Sequence, residues 1–232
     1  LFNTSLKAAV LGCCAFLFGL QSWGQYDLVI EQSAPAAAPG TVYRFYVEAN
    51  DASDKISAVF GNDQSPLVIS CPDGIFNSAF NTSWSASGVN PAFFAFFPDL
   101  QDDSYATIGL EGPAGPGAED PSLVQDSSLN PTVSGFFTTG GTDLNVNTLT
   151  GASWYVLNTA ANALPTDGRW LVAQITSTSA PSGVLNYQVF PLGEGANQVQ
   201  ETKSFTDGVV DEECDGELDE CGVCNGPGIP EG

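Results

Sequence analysis

Three cysteines and seven carboxylates lie within eighteen positions near the end of the sequence, in VVDEECDGELDECGVCNG (209–226). The chain has six cysteines in all, so half of them fall in this segment. A mixture of thiols and carboxylates at this density suits a metal-binding loop, a disulfide-stapled segment or a redox centre. The segment is also placed to act as a spacer between other parts of the protein.

Alternating acids in this segment follow the spacing of a calcium-binding loop, in which oxygen ligands converge on the ion around a sharp turn at a glycine. With Asp211 as the first position, Gly216 takes the place of that glycine and Leu218 takes the apolar place after it. The position that normally closes the site with a bidentate carboxylate is Gly222, so the loop is incomplete. The predicted calcium ligands are Asp211, Glu213, Asp215, Glu217 and Asp219.

The Cys221-Gly-Val-Cys224 pair has the C-x-x-C spacing of redox centres and of half a zinc site. A redox pair needs a helix N-terminus to lower the thiol pKa, and the glycines and proline that follow disfavour a helix. Zinc would need a further soft ligand, and the chain has no His. We therefore predict that Cys214, Cys221 and Cys224 form disulfides, with one partner expected beyond Gly232, and metal thiolates are the alternative.

The tail also resembles known repeats. VDEECDGELDE is similar to the acidic, Cys-containing "DCDG" repeats of secreted bacterial proteins of the MopE type, and in style to thrombospondin type 3 calcium repeats. LDECGVCNGPGIPEG resembles a short repeat found in tandem in large surface proteins of marine Bacteroidota. These resemblances imply secretion and a modular surface protein, and they imply no catalytic activity.

The charge balance excludes several functions. Acidic residues number 27 against 5 basic ones, which gives a formal net charge of −22. Such a surface repels nucleic acid and anionic lipid headgroups, so neither is expected as a partner. Because the chain has no His, Ser-His-Asp and Cys-His catalysis are excluded, as are His general bases.

The first 24 residues, LFNTSLKAAVLGCCAFLFGLQSWG, are predicted to be a secretory signal peptide. Lys7 supplies the positive end, residues 8–20 form the apolar stretch, and small residues precede Gln25. A lipobox around Cys13 and a transmembrane helix are weaker alternatives, because the apolar run continues past Cys13 and is short for a membrane span. We expect a secreted, cell-surface protein with no transmembrane segment after signal removal.

Residues 25–192 are predicted to form one antiparallel β-sandwich of the Greek-key or jelly-roll kind, so the fold class is all-β. Short apolar runs such as TVYRFYVEA (41–49) and PAFFAFF (91–97) alternate with clusters of turn residues. RWLVAQITSTSAPSGVLNYQVFP (169–191) is predicted to be a hairpin. Residues 193–208 lose the strand pattern and are predicted to be a linker, followed by the acidic, Cys-rich, irregular tail at 209–232.

Other residues with functional potential are acids and tryptophans within the sandwich. The acids Asp51, Asp54, Asp99, Asp102 and Asp103 suit glycosidase carboxylates or calcium ligands, and solvated loop positions are the simpler interpretation. Trp84, Trp154 and Trp170 suit a sugar-stacking platform, although their neighbouring strand residues favour core packing.

The favoured hypothesis is a non-enzymatic adhesion or structural module at the cell surface, spaced by a disulfide-stapled tail that binds calcium. Its expected partners are the extracellular matrix, a glycan or another surface protein. The alternatives are a carbohydrate-binding module of a larger secreted enzyme and a glycoside hydrolase or lyase that uses carboxylates. A cleft lined by aromatic residues would favour the carbohydrate-binding module, and two carboxyls facing each other across a groove would favour the hydrolase.

Overall fold

A computed structural model describes residues 26–211, which form twelve strands in two antiparallel sheets. The all-β sandwich predicted from the sequence is therefore confirmed. The first sheet has four strands in the order β1-β2-β9-β5. Its strands are β1 (Leu28–Ser33), β2 (Thr41–Glu48), β5 (Tyr105–Ala106) and β9 (Arg169–Ser177).

The second sheet has eight strands. Six of them follow the order β12-β11-β10-β3-β8-β6, and β4 pairs with both β10 and β7. Its strands are β3 (Lys55–Gly61), β4 (Leu67–Ser70), β6 (Ser122–Gln125), β7 (Asp143–Val146), β8 (Ala152–Tyr155), β10 (Ser182–Phe190), β11 (Val199–Thr206) and β12 (Val209–Val210).

Helical structure in residues 26–211 is confined to short turns. The α-helix α1 spans Val133–Phe136, and the 3-10 turns are Ala86–Gly88, Pro91–Phe93, Pro98–Asp102, Ala161–Ala163, Pro191–Gly193 and Gly195–Asn197. Within the described part of the chain, none of these is long and apolar enough to cross a membrane.

The main core lies between the two sheets and is built by side-chain alternation along the strands. In β2, Tyr43, Phe45 and Val47 point into this core, as the alternation predicts. Phe45 meets Phe205 edge to face, with ring centroids 5.2 Å apart. Trp154 lies in the same core and is almost fully buried, so it contributes packing and not a surface platform.

The opposite face of the four-stranded sheet carries a second, smaller core. Tyr46 of β2 and Leu171 of β9 pack there with Ala86, Val89, Leu100 and Tyr105, which belong to or adjoin the segment 84–105. Because this segment covers one part of the outer face, β9 is buried along nearly its whole length. On the same face, the side chains of Arg44 and Arg169 remain partly exposed.

The prediction of a β-hairpin at 169–191 was wrong. Strand β9 pairs with β2 and β5, whereas β10 pairs with β3, β4 and β11 in the other sheet. Residues 178–181 therefore carry the chain from one sheet to the other. Both strands are apolar enough to be central in their own sheets, so neither needs the other as a neighbour.

Two aromatic runs, one of them the candidate strand PAFFAFF, form helical turns instead of strands. PAFFAFF (91–97) contains a 3-10 turn that begins at Pro91, and the Asn90 side chain accepts a hydrogen bond from Ala92 N at 3.0 Å. SGFF (134–137) lies in and just after α1, where Thr132 caps the helix through Gly135 N at 3.1 Å. In both cases a capping residue at the start decides the local conformation over the β propensity of phenylalanine.

The prediction that residues 193–208 form a linker was also wrong, because most of these residues belong to the sandwich. Strand β11 pairs with β10 over seven residue pairs and continues into β12. Asp207 and Gly208 both have positive φ, which closes the β11–β12 hairpin with a tight two-residue turn. The strand was not recognised from the hydrophobic pattern because its buried position 203 holds a lysine. The ammonium group of Lys203 lies 3.5 Å from the carboxylate of Asp27.

Candidate functional site

An open groove runs along the outer face of the four-stranded sheet, beside the segment that covers the rest of that face. It consists of two adjoining cavities of about 470 Å³ and about 230 Å³, which share Gly109 and Glu111. The larger is lined by Arg44, Val89, Pro91, Phe94, Gln101, Tyr105, Gly109, Leu110, Glu111, Gly112 and Pro113. The smaller is lined by Tyr46, Gly109, Glu111, Thr166, Asp167, Arg169 and Leu171. We call this the sheet groove.

Strand register brings the polar floor of the sheet groove together. Arg44 of β2 and Tyr105 of β5 both stand opposite Gln174 of β9, so the three side chains form one cross-strand row. They are far apart in sequence, and only the strand order β2-β9-β5 makes them neighbours. Burial raises the pKa of Tyr105 above its ordinary value, so its phenol stays neutral.

Gln174 holds the Arg44 side chain in a fixed orientation. Its amide nitrogen donates to the carbonyl oxygens of Gln101 at 2.9 Å and Asp103 at 2.8 Å. Both amide hydrogens of Gln174 are used in these bonds. Its amide oxygen, Oε1, accepts a hydrogen bond from Arg44 Nε at 2.9 Å. The side chain of Gln174 is fully buried, so this arrangement is part of the scaffold.

Arg44 is less well matched on its other side. Its Nη1 lies 3.8 Å from a carboxylate oxygen of Glu111, whose side chain is 64% exposed. That separation exceeds the 2.7–2.9 Å of a charge-assisted hydrogen bond. Burial opposes the charge of Arg44, but the Glu111 carboxylate and the nearby tyrosines outweigh it, so the pKa of Arg44 lies above its ordinary value.

The second arginine, Arg169, is tied down at the far end of the sheet groove. Its Nη1 donates to Glu31 at 2.6 Å, and its guanidinium lies 3.9 Å from the centre of the Tyr46 ring. The turn before it contains Asp167 and Gly168, both with positive φ, which closes a tight hairpin and fixes the start of β9. Arg169 thus has a short ion pair and a cation–π contact.

One wall of the larger cavity is apolar. Its residues are Val89, Pro91, Phe94, Leu110 and Pro113. Phe94 is partly exposed, whereas Val89 is almost fully buried. The sheet groove therefore presents an apolar wall beside an arginine, a carboxylate and an amide, which suits an amphipathic ligand.

The acids of the sandwich are more buried than the sequence suggested. Asp102 is 2% exposed and accepts hydrogen bonds from the amides of Ala36, Ala37 and Ala38 at 2.7–2.8 Å. Asp54 is also buried and accepts from three backbone amides. These carboxylates fasten loops through backbone amides, so the interpretation as solvated loop acids is wrong for them.

Asp103 has a similar structural role. It accepts from Ser78 N at 2.6 Å and from Asn81 Nδ2 at 2.6 Å, and burial raises its pKa to about 6. Asp99 accepts from Ser78 Oγ at 2.7 Å. Asp51 differs because it is exposed, and hydrogen bonds from Ser53 lower its pKa. None of these acids lines the sheet groove.

The tryptophans do not form a sugar-stacking platform. Trp170 is fully buried and donates to Ala163 O at 2.8 Å, and Trp154 donates to Val172 O at 3.2 Å. Trp84 packs partly buried against the main core. Core packing, the simpler interpretation, is therefore confirmed for them.

Most of the predicted calcium and disulfide residues lie outside the described part of the chain. Asp211 alone is described; it is exposed, and its amide donates to Ser204 O at 3.0 Å at the end of the sandwich. Glu213, Asp215, Glu217, Asp219, Cys214, Cys221 and Cys224 all follow it. Over residues 26–211, no group of three or more His, Cys, Asp or Glu is arranged to hold a metal.

The residues of the sheet groove were missed from the sequence. The scarcity of basic residues could have drawn attention to them. The chain has 5 basic residues, and 2 of these, Arg44 and Arg169, line the groove. Arg44 lies on the polar face of β2, where a cation in so acidic a chain is unexpected. No protein-family model, curated protein or solved structure matches this chain, so the groove is interpreted on its own geometry.

Proposed function

We propose that this protein is a non-catalytic binding module of a secreted surface protein, and that the sheet groove binds an oligosaccharide. The observation that carries the proposal is the pairing of the apolar wall around Phe94 with the polar side of Arg44, Gln101 and Glu111. This groove joins the two leading hypotheses from the sequence, since adhesion requires a ligand site and a carbohydrate module requires a cleft.

A saccharide matches both walls. The C–H faces of a sugar ring pack on an aromatic ring, and its hydroxyls at the ring edge donate to and accept from charged and amide groups. The two cavities together run past Arg44, Glu111 and Arg169, which is room for more than one sugar ring. The groove is also open along the sheet, as recognition of a polymer segment requires.

A binding role without catalysis is supported by the structural roles of the buried acids, which accept hydrogen bonds from loop amides. Asp54, Asp102 and Asp103 are engaged by amide donors and lie away from the groove lining. The chain contains no His to act as a general base. Glu111 and Asp167 are the two carboxylates that line the smaller cavity, and they are the residues on which a hydrolase would depend.

The remainder of the proposal concerns the tail. We expect the sandwich to be exported and held at the cell surface. Because residues 209–210 belong to β12, the proposed disulfide-stapled spacer that binds calcium is residues 211–232. Supporting this, strand β12 ends at Val210, so the acidic segment begins directly where the sheet ends. The proposed ligand of the sheet groove is an extracellular glycan or matrix component.

The test is binding of the purified chain to a panel of neutral and acidic oligosaccharides. Phe94→Ala is expected to weaken binding about tenfold, by removal of the apolar wall. The matched control is Phe96→Ala, because Phe96 is 76% exposed in the same loop and does not line the groove. Thermal denaturation of both variants separates lost contacts from lost folding. If no saccharide binds, or if both variants weaken binding equally, the proposed function fails.

A further inference from the structure

We infer that the sheet groove selects a saccharide that carries a single carboxylate, and that Arg44 binds this group in place of Glu111. The inference rests on the proposed function and names its ligand class. It rests on the geometry of Arg44. A short hydrogen bond to Gln174 orients its guanidinium, whereas its carboxylate partner, Glu111, lies too far away for a short ion pair.

The fixed side is the hydrogen bond from Arg44 Nε to Gln174 Oε1 at 2.9 Å. Gln174 is in turn held by the carbonyls of Gln101 and Asp103, so the guanidinium does not have to be ordered when a ligand binds. A planar guanidinium that is already oriented can offer parallel N–H groups to a carboxylate. Preorganisation of this kind reduces the entropy lost on binding.

The incompletely matched side is the contact with Glu111. At 3.8 Å, and with 64% of its side chain exposed, Glu111 forms only a weak surface ion pair with Arg44. A ligand carboxylate in the larger cavity would replace this contact with short bonds, while Glu111 turns to solvent. Arg169 is a poorer candidate, because Glu31 already binds it at 2.6 Å and Tyr46 covers one face of its guanidinium.

The charge of the chain limits the ligand to one acidic group. With a net charge of −22, the protein repels a polyanion over distances of about a Debye length, roughly 8 Å at physiological salt. A sugar with one carboxylate brings that charge directly to Arg44 and keeps neutral hydroxyls elsewhere. The favoured class is therefore a mostly neutral oligosaccharide with one uronic acid, and not a polyuronate.

The experiment is calorimetric titration of the full chain with three probes. These are xylotriose bearing one glucuronic acid, the methyl ester of the same compound, and polygalacturonate. We expect the acid to bind at least about tenfold more tightly than its ester, since a charge-assisted pair is lost on esterification. Polygalacturonate is expected to bind more weakly per site than the single acid.

Variants locate the effect. Arg44→Gln and Arg44→Lys are both expected to remove the preference for the acid, because lysine keeps the charge but loses the planar fork. Glu111→Gln is expected to increase the preference, because it removes the competing carboxylate. Lys55→Gln and Glu194→Gln make the same charge changes at positions that do not line the sheet groove, and they should leave the preference as it is.

The outcomes are separable. Equal affinity of the acid and its ester overturns this inference and leaves the proposed function standing, whereas binding of neither probe nor of any neutral saccharide ends both. A preference that survives in both Arg44 variants, with thermal stability unchanged, also overturns it. Tighter binding of polygalacturonate than of the single acid would show that the groove is a polyanion site, contrary to the charge argument.

Discussion

Gln174 accepts a hydrogen bond from Arg44 at 2.9 Å across two neighbouring strands, and this bond joins the scaffold to the sheet groove. The amide of Gln174 has no freedom to rotate, because its nitrogen donates to two carbonyls on the segment that covers the sheet. The same side chain thus fastens the 84–105 segment to β9 and orients the cation of the groove. One buried glutamine therefore contributes both to the packing of the fold and to the geometry of the sheet groove.

The first prediction concerns this residue. Gln174→Glu replaces two donated hydrogen bonds by a buried carboxylate that faces two carbonyl oxygens, so we expect a loss of about 2–4 kcal/mol in the free energy of unfolding. Urea denaturation measures it. Gln200→Glu makes the same change at an exposed position of β11 and should shift stability by less than about 0.5 kcal/mol. Comparable losses in the two variants would contradict the role assigned to Gln174.

The second prediction concerns the loop before β2. Asp102 is buried and accepts from the amides of Ala36, Ala37 and Ala38, so Asp102→Ala removes three charge-assisted hydrogen bonds that hold this loop. We expect destabilisation of about 3 kcal/mol and faster amide hydrogen exchange in residues 34–39. Asp63→Ala, at an exposed position, is the control. Unchanged exchange in this loop would show that Asp102 does not order it.

Strand positions could be predicted from the sequence wherever one face was apolar and the other polar. β2 is the clearest case, because Tyr43, Phe45 and Val47 alternate with more polar residues. β11 was missed because Lys203 occupies an inward position, and its pairing with Asp27 appears only in three dimensions. PAFFAFF was assigned to a strand because composition alone does not show that Asn90 and Pro91 start a turn.

The sheet groove could not be predicted for a different reason. Arg44, Tyr105 and Gln174 come from three strands, and their contact depends on the order β2-β9-β5 and on the register of each pair. Sequence patterns indicate which residues face the same side of one strand, but not which strands are neighbours. The scarcity of arginine marked the two cations as unusual, and only the fold places them in one groove.

The third prediction is a pH dependence of stability. Burial raises the pKa of Asp103 to about 6, above its value of about 3.8 in an unfolded chain. The folded state then retains a proton that the unfolded state releases, so this group's contribution is fully present below pH ~4 and is lost as pH rises through ~6. One group gives a slope of at most about 1.4 kcal/mol per pH unit.

The comparison that isolates this effect is between the parent chain and Asp103→Asn, whose side chain does not titrate. Urea denaturation at several pH values between about 4 and 7 should show a difference in unfolding free energy that changes steadily over this window. A difference that stays constant with pH would contradict the raised pKa of Asp103.

The fourth prediction concerns Cys71, a free and fully buried thiol in the main core. Burial raises its pKa to about 12, with a smaller effect of the Asp143 carboxylate, so almost none of it is thiolate at pH 8. Iodoacetamide should leave Cys71 unmodified in the folded protein and alkylate it in guanidinium, as peptide mass spectrometry would show. Modification of the native protein, or a disulfide at Cys71, would be inconsistent with this environment.

The last prediction is that the tail binds calcium weakly, with a dissociation constant of roughly 10⁻⁴ to 10⁻³ M. Asp211, Glu213, Asp215, Glu217 and Asp219 offer carboxylates at alternate positions around Gly216, but Gly222 stands where a bidentate acid would close the loop.

A net charge of −22 also attracts calcium diffusely, so the calorimetric titration requires about 0.15 M salt to screen that background. The matched variant changes Asp215 and Asp219 to Asn in the oxidised protein and is expected to lose the saturable heat, whereas Asp63→Asn, an exposed acid of the sandwich, should keep it. If the parent and the double variant give the same isotherm, Asp215 and Asp219 form no calcium site, and the prediction fails.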